Sequence, residues 1–398
     1  MLARSRARAA SLHQCGSGHH YGKPVTVSLA PGIVGTTGEY LVHFGIGMPR
    51  PQPVALTMDT GSDLIWTQCA SCGACFDQPY PLFDPSASKT IGVVPCSDPI
   101  CAASGLSGCY VKKNQCFYFT GYGDGTISAG GMFRDTFTFK APSGKGGPVV
   151  MPSLSFGCGK YNKGLFISND SGIAGFGRGP QSLPSQLKVG KFSHCFTSVF
   201  NPIIKSSPMF LGTPDDLRSH AMGPIQSTPM IQNRERPTFY YLPLKGIAVG
   251  KKRLPIKESA FAIKKDGSGG TIIDSGTSVT TFPQAVYEQL RSEFVAQVPL
   301  PVVANSSAYD LCFSTESVAD PNEVPLPKLV FNLEGADIEL PPANFMATFD
   351  GPMMCLIIDN GKGDDMAIIG NFQQQNMHIV YDVEDSKLLF VRAQCDEL

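Results

Sequence analysis

Charge is what this sequence has least of. Asp, Glu, Lys and Arg make up 16% of its 398 residues and leave a net charge of -1, against roughly 25% charged residues in an average globular chain. A nearly neutral chain gives no electrostatic footing for a nucleic-acid backbone or an anionic membrane. Long apolar runs are missing as well. No stretch of 18 apolar residues occurs, so a membrane-spanning helix is not expected. No apolar run of signal-peptide length follows the basic opening "MLARSRARAASLHQCGSGHH". There is no G-x-S-x-G setting for any serine, which argues against a serine hydrolase. The run "KKDGSGGT" before Asp274 has the spacing of neither a phosphate-binding loop nor a dinucleotide fingerprint.

Glycine and proline, by contrast, are plentiful: 42 and 32 residues, scattered rather than clustered, in a chain that is 42% hydrophobic. That pattern predicts many short strands joined by turns, an all-β fold with few helices. The length suffices for one large core or two smaller ones. Two helices are expected, "PQSLPSQL" from Pro180 and "PQAVYEQLRSEFVAQV" from Pro283, each opening with Pro at a first helical position. In the second, Val286, Leu290 and Phe294 recur at four-residue spacing and form a face able to cover a sheet.

Thirteen cysteines are present, and seven fall between Cys69 and Cys116. The spacing of Cys69, Cys72 and Cys75 admits zinc or iron–sulfur ligation. The segment contains no His, however, and its cysteines continue irregularly among Pro, Ser and Gly, which favours a disulfide-stapled loop and an oxidising compartment. No metal or other cofactor is expected. Sequons at Asn169 and Asn305 fit a secreted glycoprotein. Residues 1–30 read as a flexible leader or pro-segment remnant with Cys15 as its odd thiol. Export would then depend on a signal not found in this sequence.

The chemistry lies in a repeated turn. In "PVALTMDTGSDLIWTQC" an apolar strand ends at Asp59, where an unpartnered carboxylate would be costly to bury. A second apolar strand ends the same way in "GGTIIDSGTSVTTF", at Asp274. Further on, "SGIAGFGRG" and "AIIGNF" each place a Gly after a hydrophobic pair, where one backbone can pass close to another. The four segments point to an internal duplication, with halves of about Tyr40 to Phe200 and Met209 to Val391. If the halves pack about a pseudo-twofold axis, Asp59 faces Asp274. Two carboxylates in hydrogen-bond reach share a proton and activate a water. Thr60, Ser62, Ser275 and Thr277 are suited to hold them.

These motifs resemble those of the pepsin-type aspartic endopeptidases, and within them the plant nepenthesin-type branch. The resemblance runs from about Gly38 to the C-terminus. "DTGSDLIW" and "DSGTSVT" resemble the two catalytic motifs, which implies catalytic roles for Asp59 and Asp274 and places Gly61, Gly276 and Thr277 against the substrate. "YGDGT" resembles the tip of the mobile flap, with Tyr122 the tyrosine that closes over substrate and Trp66 the tryptophan that contacts the flap. The cysteine-rich stretch, "FGCGKYNKGLF", "KFSHCF" and the terminal "CDEL" also fit that branch. The disulfides implied lie largely within the insertion, with Cys195–Cys395 and Cys312–Cys355 outside it.

The fold implied is bilobal: a flexible segment over 1–37, one lobe over 38–200 with Asp59, the flap and the insertion, and a second over 201–398 with Asp274. The function implied is hydrolysis of internal peptide bonds at acidic pH by a secreted or vacuolar monomer acting on proteins or peptides. The alternative is an inactive binding or inhibitor protein on the same scaffold, as in protein inhibitors of plant cell-wall enzymes. The intact dyad, its hydroxyl neighbours and Tyr122 discriminate between them. Three lesser readings stand beside these. Cys195 and His194 would make a nucleophilic pair, but neighbours on a strand point to opposite faces. "CDEL" has a passing likeness to a retention signal. A product of a truncated gene would be inactive.

Overall fold

The computed structural model describes residues 25–32, 38–103, 107–139, 147–164, 166, 169–200, 205–212, 217–303, 309–349 and 351–398. Cys15 and the sequon at Asn305 lie outside them. Among the described residues the chain is almost all strand, with α-helices only at Pro99–Ala102, Leu183–Leu187 and Gln284–Gln297. The long helix buries Val286, Tyr287, Leu290 and Phe294, the face its four-residue spacing marked. Pro283 caps that helix rather than opening it. The shorter helix begins three residues after Pro180, at Leu183, and is capped by Ser182, whose hydroxyl accepts from the Ser185 N–H.

One 15-stranded sheet runs through the described residues. At its middle the C-terminal strand Met377–Asp382 pairs with Lys191–Cys195, which pairs with Ser207–Leu211, then Val25–Pro31, Tyr40–Ile46 and Gln52–Asp59. Strands from both ends of the chain therefore share one ladder. Two expectations are corrected here. Val25–Pro31 is not flexible leader: Val25, Val27 and Leu29 alternate into the core, and the strand is hydrogen-bonded on both edges. Its V-x-V-x-L alternation follows a polar, basic stretch, and its partner Ser207–Leu211 is remote in sequence. The expected lobe boundary at 200 falls inside paired structure, since Phe192 on its near side pairs with Leu211 on its far side.

The duplication is visible as one supersecondary unit used twice. Gln52–Asp59 runs parallel to Gly172–Gly175, which is antiparallel to Trp66–Gln68. Thr271–Ile273 runs parallel to Ala367–Ile369, which is antiparallel to Thr280–Phe282. Gly175 ends the second strand of the first unit, and Gly370 directly follows that of the second. A Cβ on Gly175 would stand 2.2 Å from the Asp63 backbone, and one on Gly370 2.7 Å from that of Val279. Only glycine allows these crossings, which set each Asp turn against its neighbouring strand.

Twelve cysteines form six bridges. Cys72–Cys75, Cys96–Cys109 and Cys101–Cys116 stay within the insertion. Cys69 leaves it to reach Cys158 on the long strand Val149–Lys163. The three cysteines whose spacing suggested a metal are thus spent on two bridges. Cys195 joins Cys395 across 200 residues, and Cys312 joins Cys355. Cys195 is therefore no nucleophile. Cys395, in the terminal "CDEL", is fully buried.

Candidate active site

Asp59 is the last residue of its strand, and Asp274 follows directly on Thr271–Ile273. Both are buried, with 6% and 7% of their surface exposed, and their carboxyl groups lie close enough to act on each other's charge. The surroundings repeat under the twofold. Asp59 Oδ1 accepts from Gly61 N–H at 2.8 Å and its Oδ2 from the Ser62 hydroxyl. Asp274 Oδ1 accepts from Gly276 N–H at 2.9 Å and its Oδ2 from the Thr277 hydroxyl at 2.7 Å. A Cβ on Gly276 would lie 2.2 Å from Asp59 Oδ1, and one on Gly61 2.8 Å from the Asp274 carboxylate. The two glycines are what let each turn approach the opposite carboxyl.

Beneath the pair the chain is locked across the axis. Thr60 N–H donates to Ser275 Oγ at 3.0 Å, and Ser275 N–H donates to Thr60 Oγ1 at 2.9 Å. Ser275 Oγ–H continues to Met58 O at 2.7 Å. Burial raises the pKa of both carboxyls, and the charge of Asp274 raises that of Asp59 further; the Ser62, Gly61, Thr277 and Gly276 donors act against the shift. The pair therefore holds a proton above the usual carboxylate range and titrates as a unit.

Above the pair, the strands Gln115–Gly121 and Ile127–Phe139 form a hairpin whose last pairing is Gly121 with Ile127. Tyr122 opens its tip: its N–H bonds Thr126 O at 2.8 Å, and its carbonyl accepts from Gly125 N–H at 3.1 Å. The side chain is half-buried and turned inward. Its hydroxyl accepts from Trp66 Nε1 at 2.8 Å and lies in hydrogen-bond reach of Ser62. Burial, and then the nearby Asp59, raise its pKa well above that of a free phenol. Trp66 is fully buried, edge-on to Phe166 at 5.8 Å between ring centroids. A chain of donors thus runs from Trp66 through Tyr122 and Ser62 to Asp59.

Three groups at the site escaped the sequence reading. "AIIGNF" drew notice only for its glycine, yet Asn371 Nδ2 donates to Ser275 O at 2.9 Å and Gln374 Nε2 to Asp274 O at 3.1 Å. The signal was the neutral polar run "NFQQQN" directly after an apolar strand. Gln373, Gln374 and Gln375 are all buried. Asp63, four residues after Asp59, looks in the sequence like an ordinary turn carboxylate. It lines a cavity of about 470 Å³ beside the dyad together with Gly61, Ser62, Thr120, Thr238 and Phe239. Asn169 is exposed, with its amide donating to Gly32 O at 3.4 Å, while Ser171 of the same sequon is buried.

Known proteins are similar to this chain. Residues 40–213 match the family model described as xylanase inhibitor N-terminal, and residues 239–392 the one described as xylanase inhibitor C-terminal. The chain is 44% identical to aspartic proteinase nepenthesin-1 of Nepenthes gracilis, over 90% of this chain and 78% of that protein. The chain belongs to the nepenthesin-type aspartic proteinase family. Within this family, nepenthesin-2 of the same plant is 39% identical over the same shares, and aspartyl protease family protein 2 of Arabidopsis thaliana is 36% identical over 92% of this chain and 73% of that protein. The nepenthesin-type chain also shares its fold with the crystal structures of edgp (TM-score 0.76, 21% identity, covering 94% of this chain and 96% of that one) and of soybean basic 7S globulin (0.72, 20%, 94% and 97%).

Proposed function

We propose that this protein is an aspartic endopeptidase that cuts internal bonds of protein and peptide substrates at acidic pH, with Asp59 and Asp274 as its catalytic residues. One observation carries the reading: two buried carboxyls face each other, each held by one backbone N–H and one hydroxyl and each approached by the other's turn glycine. Such a pair with one proton is both base and acid. The ionised member takes a proton from water as its oxygen bonds to the peptide carbon. The protonated member delivers its proton to the carbonyl oxygen, giving a neutral gem-diol. Collapse breaks the C–N bond, and the amine leaves with a proton returned through the pair. Protein side chains and water supply all the chemistry.

Tyr122 on its hairpin closes over an extended substrate, which binds as a strand with main-chain hydrogen bonds and side-chain pockets. The six disulfides favour an extracellular or vacuolar location, and no helix among the described residues is long and apolar enough to cross a membrane. We read the protein as a monomer with the cleft between two lobes. The matching family models carry the name of xylanase inhibitors. A pure binding role would leave the dyad, the twofold lock and the Tyr122–Ser62–Asp59 chain without a use.

The deciding experiment is digestion of a denatured protein between about pH 3 and 5, with wild type, Asp59→Asn and an aspartic-peptidase inhibitor that mimics the gem-diol. Asp59→Asn is expected to lose at least about 10²–10⁴-fold in rate. Equal cleavage by wild type and variant would refute the assignment.

A further inference from the structure

Asp63 is a carboxylate buried in most of its surface that takes no part in the water chemistry. It collects hydrogen bonds from two distant parts of the chain. Its Oδ1 accepts from Gly179 N–H at 2.7 Å, and its Oδ2 accepts from the Thr238 hydroxyl at 2.7 Å. Thr238 belongs to the segment leading into the second half of the molecule. The same three segments are stitched together elsewhere. Arg178 N–H donates to Thr238 O at 3.0 Å, Gly177 N–H to Ser62 O at 2.8 Å, and Phe176 N–H to Asp59 O at 2.7 Å. Tyr240 Oη–H donates to Phe176 O at 2.9 Å.

The fit around the carboxylate is close on every side. A Cβ on Gly179 would stand 2.2 Å from Asp63 Oδ2. One on Gly177 would stand 2.4 Å from Oδ1 and 2.8 Å from the methyl of Thr238. Among the described residues no Lys, Arg or His forms an ion pair with Asp63. A buried carboxylate kept without a counter-ion and held by two donors is expensive, and its place gives it a use. Thr238 and Phe239 form the wall of the 470 Å³ cavity that faces Gly61 and Ser62.

We propose that Asp63 is a positioning residue that draws the Thr238–Phe239 segment against the Asp59 turn and thereby sets the width of the cavity receiving substrate side chains beside the cut bond. This rests on the endopeptidase reading for its biological use but not for its test. Without the carboxylate, Thr238 loses its side-chain anchor and keeps only its backbone bond to Arg178, so the wall is held less firmly against the turn that carries Asp59. Substrate registration suffers, while the dyad keeps its own partners.

The test pairs Asp63→Asn, Asp63→Ala and Thr238→Val with the double variant Asp63→Ala/Thr238→Val. Binding of a reduced-bond peptide inhibitor with side chains on both sides of the uncut position is measured by calorimetry. Hydrolysis of a peptide of the same length is measured in parallel. Each alanine or valine variant is expected to weaken inhibitor binding and raise KM about tenfold, with kcat within about twofold. Asp63→Asn, which keeps one acceptor, is expected to fall between. The double variant should be no worse than the worse single one, because one contact is being removed twice. Unchanged inhibitor affinity in Thr238→Val, strictly multiplicative losses in the double variant, or a fall in kcat at constant KM would each overturn the assignment. Thr238→Val decides the matter even where Asp63→Ala fails to fold. A wild type that binds the inhibitor but cuts nothing would overturn the endopeptidase reading and leave this one to be judged on affinity.

Discussion

Thr60 and Ser275 hold each other across the molecular axis, each N–H donating to the other's hydroxyl oxygen, at 3.0 and 2.9 Å. Each residue is fully buried and sits one position after a dyad carboxylate. Two hydrogen bonds that cross between the halves at this point fix the separation of Asp59 and Asp274 more directly than any packing contact. They also explain why the flanking positions carry hydroxyls: an alanine would fill the space and leave a buried N–H without an acceptor.

Ser275→Ala removes the acceptor for Thr60 N–H and the donor to Met58 O. An orphaned buried N–H costs about 1–3 kcal/mol, so the midpoint of thermal unfolding should fall. Loosened carboxyls should lower kcat by roughly 10–100-fold, since misplacement by an ångström costs about that much. Thr60→Ser, which keeps the hydroxyl, should retain both. A Ser275→Ala enzyme with wild-type kcat would show that the lock is dispensable to the dyad.

Much of this site was legible in the sequence because its parts are local. Each Asp turn is a strand end followed by hydroxyls and glycine, and the duplication made the pairing of Asp59 with Asp274 readable without coordinates. The glycines Gly175 and Gly370 were legible for the same reason. What remained hidden depends on contacts remote in sequence. The strand at Val25–Pro31 declares itself only when Ser207–Leu211 is beside it. Asp63 looks like turn chemistry until Thr238 arrives to bond it. The buried amides of Asn371 and Gln374 look like a surface loop until the second Asp turn is laid over them.

Tyr122 joins the flap to the dyad through Trp66 on one side and Ser62 on the other. Tyr122→Phe keeps the ring and removes the hydroxyl, leaving the Trp66 indole N–H without its acceptor. Tyr122→Ala removes both. Because that indole N–H is buried, loss of its acceptor should lower the unfolding midpoint of both variants, a loss of up to about 1–3 kcal/mol in stability. Activity should separate them: kcat/KM is expected to drop several-fold for Phe and roughly tenfold or more for Ala. Wild-type turnover in Tyr122→Ala would remove the flap from the mechanism.

The Cys195–Cys395 bridge closes a span of 200 residues and ties the C-terminus to the central sheet. In the chain-entropy account a loop of that length contributes about 5 kcal/mol, less any native strain. The double substitution Cys195→Ala/Cys395→Ala should therefore lower the unfolding midpoint far more than it lowers activity per folded molecule. Peptide mapping without reduction provides the companion check. Recovery of Cys395 as a free thiol, or joined to another cysteine, would contradict the pairing.

The central sheet also sets an acid limit on the protein's stability. His194 lies on Lys191–Cys195, fully buried, stacked on Phe196 at 3.9 Å and tilted toward Tyr381 at 5.8 Å, with no hydrogen-bond partner for either ring nitrogen. Burial, with the neighbouring His378 adding to it, pushes its pKa down to about 3. His378, bonded to Ser193 Oγ at 3.0 Å, is pushed down to about 4 by burial and then by His220. Both values lie below the ordinary 6.5, so the unfolded chain binds these protons first. Their contribution to stability is complete above pH 6.5 and is lost as pH falls through 4 toward 3. The raised carboxyls of Asp59 and Asp274 act in the opposite sense, contributing at low pH and losing that contribution as pH rises through their elevated range. His194→Phe keeps an aromatic ring between Phe196 and Tyr381 and removes the buried base. Unfolding measured from pH 7 down to 3 should show the variant losing less stability than wild type, by on the order of 3–5 kcal/mol if the full shift at His194 is realised. Parallel curves for the two proteins across that range would mean that His194 does not set the acid limit.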